Sequence, residues 1–254
     1  MTTVIIPSRY ASERLPAKPL AMIRGMTLVE RVYRQCSLAK GIDRIYVATD
    51  HVEIAREVER FGGNVAMTSP DCASGTDRVA QAAERLGITD GVVMNVQGDE
   101  PLIDPAVIAS LASLMQKNPD VQIATPVSRL TRSEDLTNPN VVKVVMNEHW
   151  DALYFSRQAI PYLRDIGAQA METWPNVYPF FKHIGVYAYR MKALKQFVAM
   201  KESPLERTER LEQLRLLEAG IPIRCVEVEY ESVAVDTPED IRKVESLITE
   251  RGLA

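Results

Sequence analysis

Residues 92–101 read Val-Val-Met-Asn-Val-Gln-Gly-Asp-Glu-Pro, and this stretch decides the fold class. Its first five residues form an almost unbroken apolar run, which predicts a strand buried on both faces. Shorter runs of the same kind occur at residues 4–6, 45–48 and 65–67. Amphipathic stretches of roughly 10–15 residues separate the runs, as in a parallel sheet covered by helices on both faces. The sequence therefore predicts an α/β fold with a mostly parallel sheet.

The remaining elements follow from the same patterns. Helices are predicted at residues 27–40, 52–61, 77–86, 106–117, 205–219 and 238–250, and further strands at 141–146, 152–155, 184–189 and 223–229. Residues 160–181 are rich in proline and aromatic residues and have no clear period, so we expect a long loop or arm there, with a dimer contact as one interpretation. The sequence predicts a single domain over residues 1–254, with an inserted dimerisation arm roughly at 125–190.

Composition excludes several classes of protein. Hydrophobic residues make up 46% of the 254 residues, enough for a sizeable core, and the net charge is -4. No overall positive field would attract nucleic acid, although a local basic pocket remains possible. No apolar run approaches the ~18 residues of a membrane-spanning helix, and the first residues do not resemble a signal peptide. The three scattered cysteines favour free thiols in a reducing compartment, so we expect a cytoplasmic protein.

Common catalytic motifs are absent from the sequence. It has no G-x-G, Walker A, G-x-S-x-G or H-E-x-x-H motif. The three histidines are His51, His149 and His183, too few and too scattered to predict a histidine metal cluster. These absences weaken the interpretation as a dinucleotide-binding protein.

A basic loop follows the first predicted strand. Residues 7–20 read Pro-Ser-Arg-Tyr-Ala-Ser-Glu-Arg-Leu-Pro-Ala-Lys-Pro-Leu. Open α/β sheets bind ligands at the carboxyl ends of their strands. Arg9, Arg14 and Lys18, together with backbone N–H groups, would suit a triphosphate. The alternative is a solvated basic loop whose prolines merely fix its course.

Two aspartates are candidate metal ligands. Asp99 follows the most apolar strand, where it could hold Mg²⁺ together with substrate phosphates, or could be a turn residue that bonds its own backbone. Asp236 precedes Thr237-Pro238-Glu239-Asp240, which predicts a capping box at the start of a helix. Asp236 is not needed for that cap. The residues alone favour a helix-dipole role over a second metal carboxylate.

Weaker signals lie elsewhere. Residues 74–78 suit a nucleotide-contacting loop or an ordinary N-cap, and Arg157 suits a carboxylate fork or a surface charge. His183 and Tyr187 lie four residues apart on a predicted strand and would share a face, although a satisfied core histidine is the commoner explanation. Glu212 precedes Gln213 on a predicted helix and could instead pair with Arg215.

Taken together, these motifs resemble the 3-deoxy-manno-octulosonate (Kdo) cytidylyltransferase family. The resemblance covers nearly the whole chain, in order, and is carried by residues 5–20, 48–50, 74–78, 95–101, 152–157, 183–187, 211–215 and 235–240. Each motif alone would be weak evidence for this family, but the whole set of motifs in this order is specific for it. The departures are small: Ser8 stands where alanine is usual, Ala17 stands where glycine is usual, and residues 207–210 are more basic than expected.

The resemblance implies a nucleotide-sugar transferase-like fold, CTP and Kdo as substrates, Mg²⁺ as cofactor and a homodimer. The implied reaction transfers CMP to the anomeric hydroxyl of Kdo and releases pyrophosphate, in the cytoplasm, for lipopolysaccharide synthesis. Two alternatives remain open. One is a cytidylyltransferase for a related acidic sugar, such as an 8-amino Kdo analogue or a sialic acid. The other is a non-catalytic nucleotide-sensing module, for which a second metal carboxylate would be unnecessary.

The resemblance also implies residue roles by motif position. The implied catalytic residues are Lys18, Arg9, Asp99 and Asp236, of which the two aspartates would hold the metal. The implied nucleotide-binding residues are Arg9, Arg14, Lys18, Ser74, Gly75, Asp77 and Arg78. The implied sugar-binding residues are Gln97, Arg157, His183, Tyr187, Glu212 and Gln213.

Overall fold

The structure, a computed structural model, describes residues 1–12 and 14–252. Glu13 of the predicted basic loop lies outside the described residues. The strands of the described chain are β1 Thr2–Ser8, β2 Met22–Ile23, β3 Met26–Thr27, β4 Arg44–Thr49, β5 Val65–Met67, β6 Val92–Asn95, β7 Ile123–Arg129, β8 Lys143–Met146, β9 Ala152–Ser156, β10 Phe181–His183, β11 Tyr187–Arg190 and β12 Arg224–Glu227.

The α-helices of the described chain lie mostly in its first and last thirds. They are α1 Leu28–Ser37, α2 Val52–Arg60, α3 Gly75–Arg85, α4 Pro105–Lys117, α5 Glu134–Thr137, α6 Trp174–Val177, α7 Met191–Ala199, α8 Pro204–Glu209, α9 Leu214–Glu218 and α10 Pro238–Glu250. Short 3₁₀ helices occur at Lys18–Leu20 and Ala168–Thr173.

Parallel strands form the first half of the central sheet, in the order β5-β4-β1-β6. Val4 of β1 lies opposite Ile45 on one side and Met94 on the other. Val4 packs into the core on one face of the sheet, whereas Ile5 packs into the core on the other. A strand with both faces buried needs an apolar residue at every position, which explains the continuous runs. The predicted α/β class is confirmed.

Antiparallel strands complete the same ten-stranded sheet. After β6 the order continues β11-β7-β10-β8-β9, and β12 runs parallel to β7. β11 therefore fits between β6 and β7, where Ala188 lies opposite both Met94 and Ala124. The range 125–190 includes several of these strands. The predicted arm thus overlaps the central sheet, and its role in dimerisation stays a prediction.

Two predicted elements are wrong. The expected strand 184–189 begins only at Tyr187, because the chain turns at Gly185, where the N–H of Val186 donates to the carbonyl of Ile184. His183 and Tyr187 therefore lie on different strands. The expected helix 205–219 is two short helices, because the backbone at Arg210 is left-handed, with φ 54° and ψ 48°.

Residues 160–181 carry a small core of their own. Trp174 and Phe180 are buried and pack with Leu130 and Leu136. The stretch contains one short 3₁₀ helix and one helical turn rather than a featureless loop. Among the described residues, no helix is both long and apolar enough to cross a membrane.

Candidate active site

The loops that follow β1 and β6 lie side by side, because these parallel neighbours end at the same edge of the sheet. Gly98 sits at their closest approach. A Cβ atom at this position would lie 2.7 Å from the carbonyl oxygen of Pro7 and 3.0 Å from Oγ of Ser8. Only glycine fits without displacing the neighbouring backbone. This contact places Asp99 beside the basic loop.

Lys18 joins the two aspartates that the sequence singled out. Its ammonium Nζ lies 2.9 Å from Oδ2 of Asp99 and 3.0 Å from Oδ1 of Asp236. The guanidinium of Arg14 lies 3.1 Å from the other carboxylate oxygen of Asp236. The structure thus brings Asp99 and Asp236 to one point, which a helix-dipole role for Asp236 would not require.

Backbone contacts hold Asp236 in this place. The predicted capping box between Thr237 and Asp240 is confirmed, so Asp236 directly precedes the N-cap residue of α10. The N–H of Val235 donates to the carbonyl of Asp99 over 2.8 Å. The buried Glu100 carboxylate accepts hydrogen bonds from the hydroxyls of Tyr230 and Ser232, at 2.9 and 2.7 Å. These bonds fasten the segment before Asp236 to the loop after β6.

A cavity of about 630 Å³ surrounds these groups, and we name it the charged cavity. Its walls are Pro7, Ser8, Arg9, Ser12, Arg14, Lys18, Pro19, Cys72, Ala73, Ser74, Gly75, Arg78, Gln97, Gly98, Asp99, Glu212 and Asp236. Of the implied nucleotide-binding residues, Asp77 alone is missing from this wall. Its carboxylate instead accepts hydrogen bonds from the N–H and the hydroxyl of Ser74 in a capping box at the start of α3.

Arg78 lines the charged cavity with a guanidinium that is already engaged. It lies 3.1 Å from the Asp50 carboxylate and donates to the Thr68 hydroxyl over 2.6 Å. Its side chain is almost fully buried. Arg78 therefore supports the wall of the cavity and brings a fixed charge close to it.

The pair Asp99 and Asp236 fits a divalent cation. Both carboxylates already point at one cation, the Lys18 ammonium. Within residues 1–12 and 14–252, no group of three or more histidine, cysteine or acidic side chains could hold a metal. Mg²⁺ commonly binds through one or two carboxylates and completes its shell with water and substrate phosphates. The donor set therefore suits a metal that arrives with a phosphorylated ligand.

A second cavity of about 370 Å³ adjoins the first, and we name it the aromatic cavity. Its walls are Thr76, Asn95, Gln97, His183, Gly185, Tyr187, Tyr189, Phe197, Arg210, Leu211, Glu212 and Gln213. Gln97 and Glu212 belong to both cavities. The structure thus brings five of the six implied sugar-binding residues to one place.

Several buried polar atoms in the aromatic cavity lack a partner. Oδ1 of Asn95, the hydroxyl of Tyr187 and Nε2 of Gln213 are buried and make no hydrogen bond within the described chain. Buried polar atoms are normally paired, because an unpaired one costs about 1–3 kcal/mol. A ligand with several hydroxyl groups would supply the missing partners.

Burial shifts the pKa values of His183 and Glu212, two of the titratable residues in the wall of the aromatic cavity. It lowers the pKa of His183 to about 3, so that the imidazole is neutral near pH 7. Nε2 of His183 lies 3.1 Å from the Thr125 hydroxyl. Burial also raises the pKa of Glu212. His183 therefore adds no positive charge to this cavity near pH 7, and Glu212 is either negative or neutral.

The structure does not bring Arg157 to either cavity. Its guanidinium donates to main-chain carbonyls of Glu209, Pro139 and Arg210, at 2.7, 2.8 and 3.3 Å. These carbonyls occupy the planar fork that was expected to bind a substrate carboxylate. The alternative pairing of Glu212 with Arg215 is also wrong, because Arg215 binds both oxygens of the Glu206 carboxylate.

Some residues of the site had not been predicted. Asn95 carried a signal, because it is a polar residue within the apolar run that forms β6. For Arg210 the sequence signal was that residues 207–210 are more basic than the family pattern, but neither glycine nor proline marks the break between α8 and α9. Thr76, Tyr189 and Phe197 enter the aromatic cavity only through the packing of α3, β11 and α7.

The chain is similar to known cytidylyltransferases. The sequence profile of the family described as Cytidylyltransferase matches residues 3–229. The 3-deoxy-manno-octulosonate cytidylyltransferase of Myxococcus xanthus (strain DK1622) is 47% identical over 252 residues, which are 99% of this chain and 98% of that protein. The 8-amino-3,8-dideoxy-manno-octulosonate cytidylyltransferase of Shewanella sp. (strain ANA-3) is 46% identical over 245 residues, or 96% of each chain.

A solved structure resembles the whole fold. It is CMP:2-keto-3-deoxy-manno-octonic acid synthetase complexed with CTP, with a TM-score of 0.90 and 37% identity. The match covers 98% of this chain and 99% of that one. The similarity therefore extends over nearly the whole of both chains.

Proposed function

Because this chain belongs to the 3-deoxy-manno-octulosonate cytidylyltransferase family, we propose that it transfers CMP from CTP to the anomeric hydroxyl of Kdo, with release of pyrophosphate. The observation that carries this proposal is the meeting of two unlike cavities at Gln97 and Glu212. One cavity has the charges for a triphosphate, and the other has the polar atoms for a hydroxylated sugar. Their contact would bring the sugar hydroxyl to the α-phosphorus.

The basic residues of the charged cavity bind and stabilise the nucleotide. In an in-line displacement, negative charge grows on the phosphoryl oxygens and on the departing pyrophosphate. Arg9 and Lys18 would stabilise that charge, an effect of about 3–4 kcal/mol for a well-placed donor. Lys18 must then exchange its aspartate partners for phosphate oxygens when CTP binds. Arg14 holds Asp236 from the solvent side.

Asp99 and Asp236 would hold Mg²⁺. When bound, the ion supplies neutralising charge for the phosphate oxygens and makes the attacking hydroxyl more acidic. The support is the convergence of both carboxylates on one cation position.

The residues of the aromatic cavity orient the sugar. Asn95, Tyr187 and Gln213 offer unpaired polar atoms to its hydroxyl groups, and the neutral His183 adds a hydrogen-bonding nitrogen. Ring contacts limit how the sugar can tilt, since the centroids of His183 and Tyr187 lie 5.3 Å apart. A sugar held in this way presents one hydroxyl to the neighbouring nucleotide.

Pyrophosphate release tests the activity. The chain, CTP and Mg²⁺ are mixed with Kdo, with its 8-amino-3,8-dideoxy analogue or with a sialic acid, and pyrophosphate is measured. Relatives named for the first two sugars are almost equally similar to this chain, so the 8-amino sugar is the second candidate substrate. We expect the fastest release with Kdo. Nucleotide binding without release from any of these sugars would instead indicate a nucleotide-sensing module.

The proposal extends to assembly and location. We propose a cytoplasmic homodimer that makes CMP-Kdo for lipopolysaccharide synthesis. Free cysteines favour a reducing compartment. Leu153 on the edge strand β9 and Tyr162 and Val177 nearby in the chain are exposed apolar side chains, which favour a protein contact there. Light scattering coupled to size-exclusion chromatography would give the mass in solution, and a monomer would contradict this part.

A further inference from the structure

The aromatic cavity contains one cationic side chain among its described walls, and that side chain is Arg210. The sugar of the proposed function is an acid, so its carboxylate needs a positive partner near the triphosphate. Glu212 carries the opposite charge or none, and burial keeps His183 neutral. Arg157 lies outside both cavities and donates to carbonyl groups. The carboxylate is therefore left with Arg210.

The guanidinium of Arg210 is available for a ligand. Within residues 1–12 and 14–252 it makes no hydrogen bond or ion pair. In the wall of the charged cavity, Arg14 is paired with Asp236 and Arg78 with Asp50. Arg9 makes no hydrogen bond or ion pair within the described chain, but it lines the charged cavity and not the aromatic one. An arginine fork binds a carboxylate with two parallel hydrogen bonds, which an ammonium does not reproduce.

The backbone at Arg210 is held in a costly conformation. Its φ of 54° and ψ of 48° lie in the left-handed region, which side chains other than glycine, asparagine and aspartate rarely adopt. Such strained positions persist where the surroundings impose them, and they cluster at functional sites. A glycine would relieve the strain, but it would remove the guanidinium.

The surroundings that impose this conformation come from the end of β9. The Glu209 carboxylate accepts hydrogen bonds from the Ser156 hydroxyl at 2.7 Å and from the N–H of Arg157 at 3.0 Å. The Arg157 guanidinium returns two bonds, to the carbonyls of Glu209 and Arg210. Four hydrogen bonds thus fix residues 209 and 210 against β9, immediately before the cavity wall formed by Leu211, Glu212 and Gln213.

We propose that Arg210 binds the carboxylate of the sugar acid and that Arg157 is the positioning residue that holds Arg210 toward the cavity. This inference rests on the proposed function for the identity of the sugar. Arg157 acts through the backbone of residues 209 and 210 and does not touch the sugar. Arg157 is therefore still expected to be needed for sugar binding, but through its effect on Arg210 and not through contact with the sugar.

Binding measurements test this without requiring turnover. Calorimetry gives the affinity of the wild type and of Arg210→Gly for Kdo, for the uncharged carboxamide of Kdo and for CTP. We expect Arg210→Gly to lose at least about tenfold in Kdo affinity, the value of one charge-assisted contact, and to keep its CTP affinity. Its Tm should be equal or higher, since glycine adopts the left-handed conformation freely. Arg207→Ala is the matched control, because it removes an exposed arginine from α8, the helix that ends just before Arg210, and it should change neither affinity.

Comparing Kdo with its carboxamide isolates the contribution of the carboxylate charge to the binding affinity. The wild type should prefer Kdo to the carboxamide, and Arg210→Gly should bind the two equally. A variant that still prefers Kdo, or an unchanged Kdo affinity, would overturn the proposal. Loss of affinity for Kdo with no loss for its 8-amino analogue would place Arg210 at the other end of the sugar and would also overturn it.

A double variant tests the positioning role of Arg157. Arg157→Lys alone should weaken Kdo binding, because an ammonium cannot bond both carbonyls. In the Arg210→Gly background the same change should add nothing. An additive loss would mean that Arg157 contacts the sugar itself. If Kdo binds as expected but the wild type releases no pyrophosphate, the proposed function fails while this inference stands.

Discussion

The charged and the aromatic cavities adjoin, but they differ in how many of their polar groups have partners within the protein. In the charged cavity Lys18, Arg14 and Arg78 each have a carboxylate partner within 3.1 Å. In the aromatic cavity three buried polar atoms have no partner in the described chain, whereas the wall of the charged cavity has one, Oγ of Ser8. Paired charges stabilise the folded protein without a ligand, whereas unpaired polar atoms destabilise it until a ligand binds. Substitutions in the first cavity should therefore reduce both activity and stability, and those in the second should reduce activity alone.

The largest effect is expected from the two aspartates. Asp99→Asn and Asp236→Asn each keep the shape but remove the charge that a hard cation requires, so Mg²⁺-dependent transfer should fall about 10²–10³-fold. The double variant should be little worse than either single variant, because the two carboxylates act as a unit. Initial rates of pyrophosphate release measure this.

Glu239→Gln is the matched control, since it removes an exposed carboxylate three residues from Asp236. Its activity should be unchanged. If Asp236→Asn kept nearly full activity but had a lower Tm, Asp236 would stabilise the start of the helix and would not hold the metal. Asp99 would then need another partner for the metal.

Lys18→Met should lower both turnover and stability. Turnover should fall about 100-fold through loss of a phosphate-binding charge. Without metal, Asp99 would lose its cationic partner and Asp236 would keep only Arg14, so the free energy of unfolding should fall by about 1 kcal/mol. Mg²⁺ should then raise the Tm of the variant more than that of the wild type. Equal metal-induced shifts in a thermal melt would show that the ammonium and the metal do not compete.

Gln213→Met tests the opposite cavity. The substitution keeps an unbranched side chain and removes a buried N–H group without a partner, so the free energy of unfolding should rise by about 1 kcal/mol. The KM for the sugar acid should rise about five- to tenfold, while the KM for CTP stays the same. Urea unfolding measures the change in the free energy of unfolding, and steady-state kinetics measure the two KM values. A loss of stability would mean that this amide already has a partner.

His183 makes stability depend on pH. Its folded pKa is about 3, below the ordinary 6.5, so the unfolded chain binds the proton more readily between these values. Stability should therefore fall as pH drops below 6.5, by less than about 1.4 kcal/mol per unit because the side chain is only half-buried. His183→Gln should flatten this part of the profile. His149→Gln, at an exposed site, should leave it unchanged, and identical profiles for both variants would contradict the account.

The smallest effect concerns the backbone of the basic loop. Ala17 has φ 52° and ψ 35°, so Ala17→Gly should raise the free energy of unfolding by up to about 1 kcal/mol. Ala21→Gly, at φ -59°, is the matched control and should lower it slightly. Chemical denaturation compares the two, and a loss at both positions would show that loop strain is unimportant.

The parallel half of the fold could be predicted because each of its elements carries a local pattern. Residues 4–6 are apolar, residues 92–96 are apolar except for Asn95, and the helix 238–250 is preceded by its own capping residue, Thr237. The antiparallel half depends on pairings distant in sequence. Nothing in residues 187–190 indicates that they pair with both Asn95 and Ala124 rather than continue from His183.

The site could be predicted only in part, for the same reason. Family resemblance placed Asp99 and Asp236 together, although the residues alone favoured a structural role for Asp236. It also pointed to Arg157, whose fork is taken up by main-chain carbonyls that no sequence pattern shows. The left-handed turn at Arg210 is equally invisible, because tertiary contacts with β9 impose it on a residue that does not favour it.

A crystal structure with Mg²⁺, a non-hydrolysable CTP analogue and Kdo tests most directly which ligand binds in which cavity. The account predicts the triphosphate in the charged cavity, with Lys18 moved from the aspartates to phosphate oxygens and a cation at Asp99 and Asp236. It predicts the sugar in the aromatic cavity, with its hydroxyl groups bonded to Asn95, Tyr187 and Gln213. A sugar bound elsewhere, or a triphosphate outside the charged cavity, would contradict it.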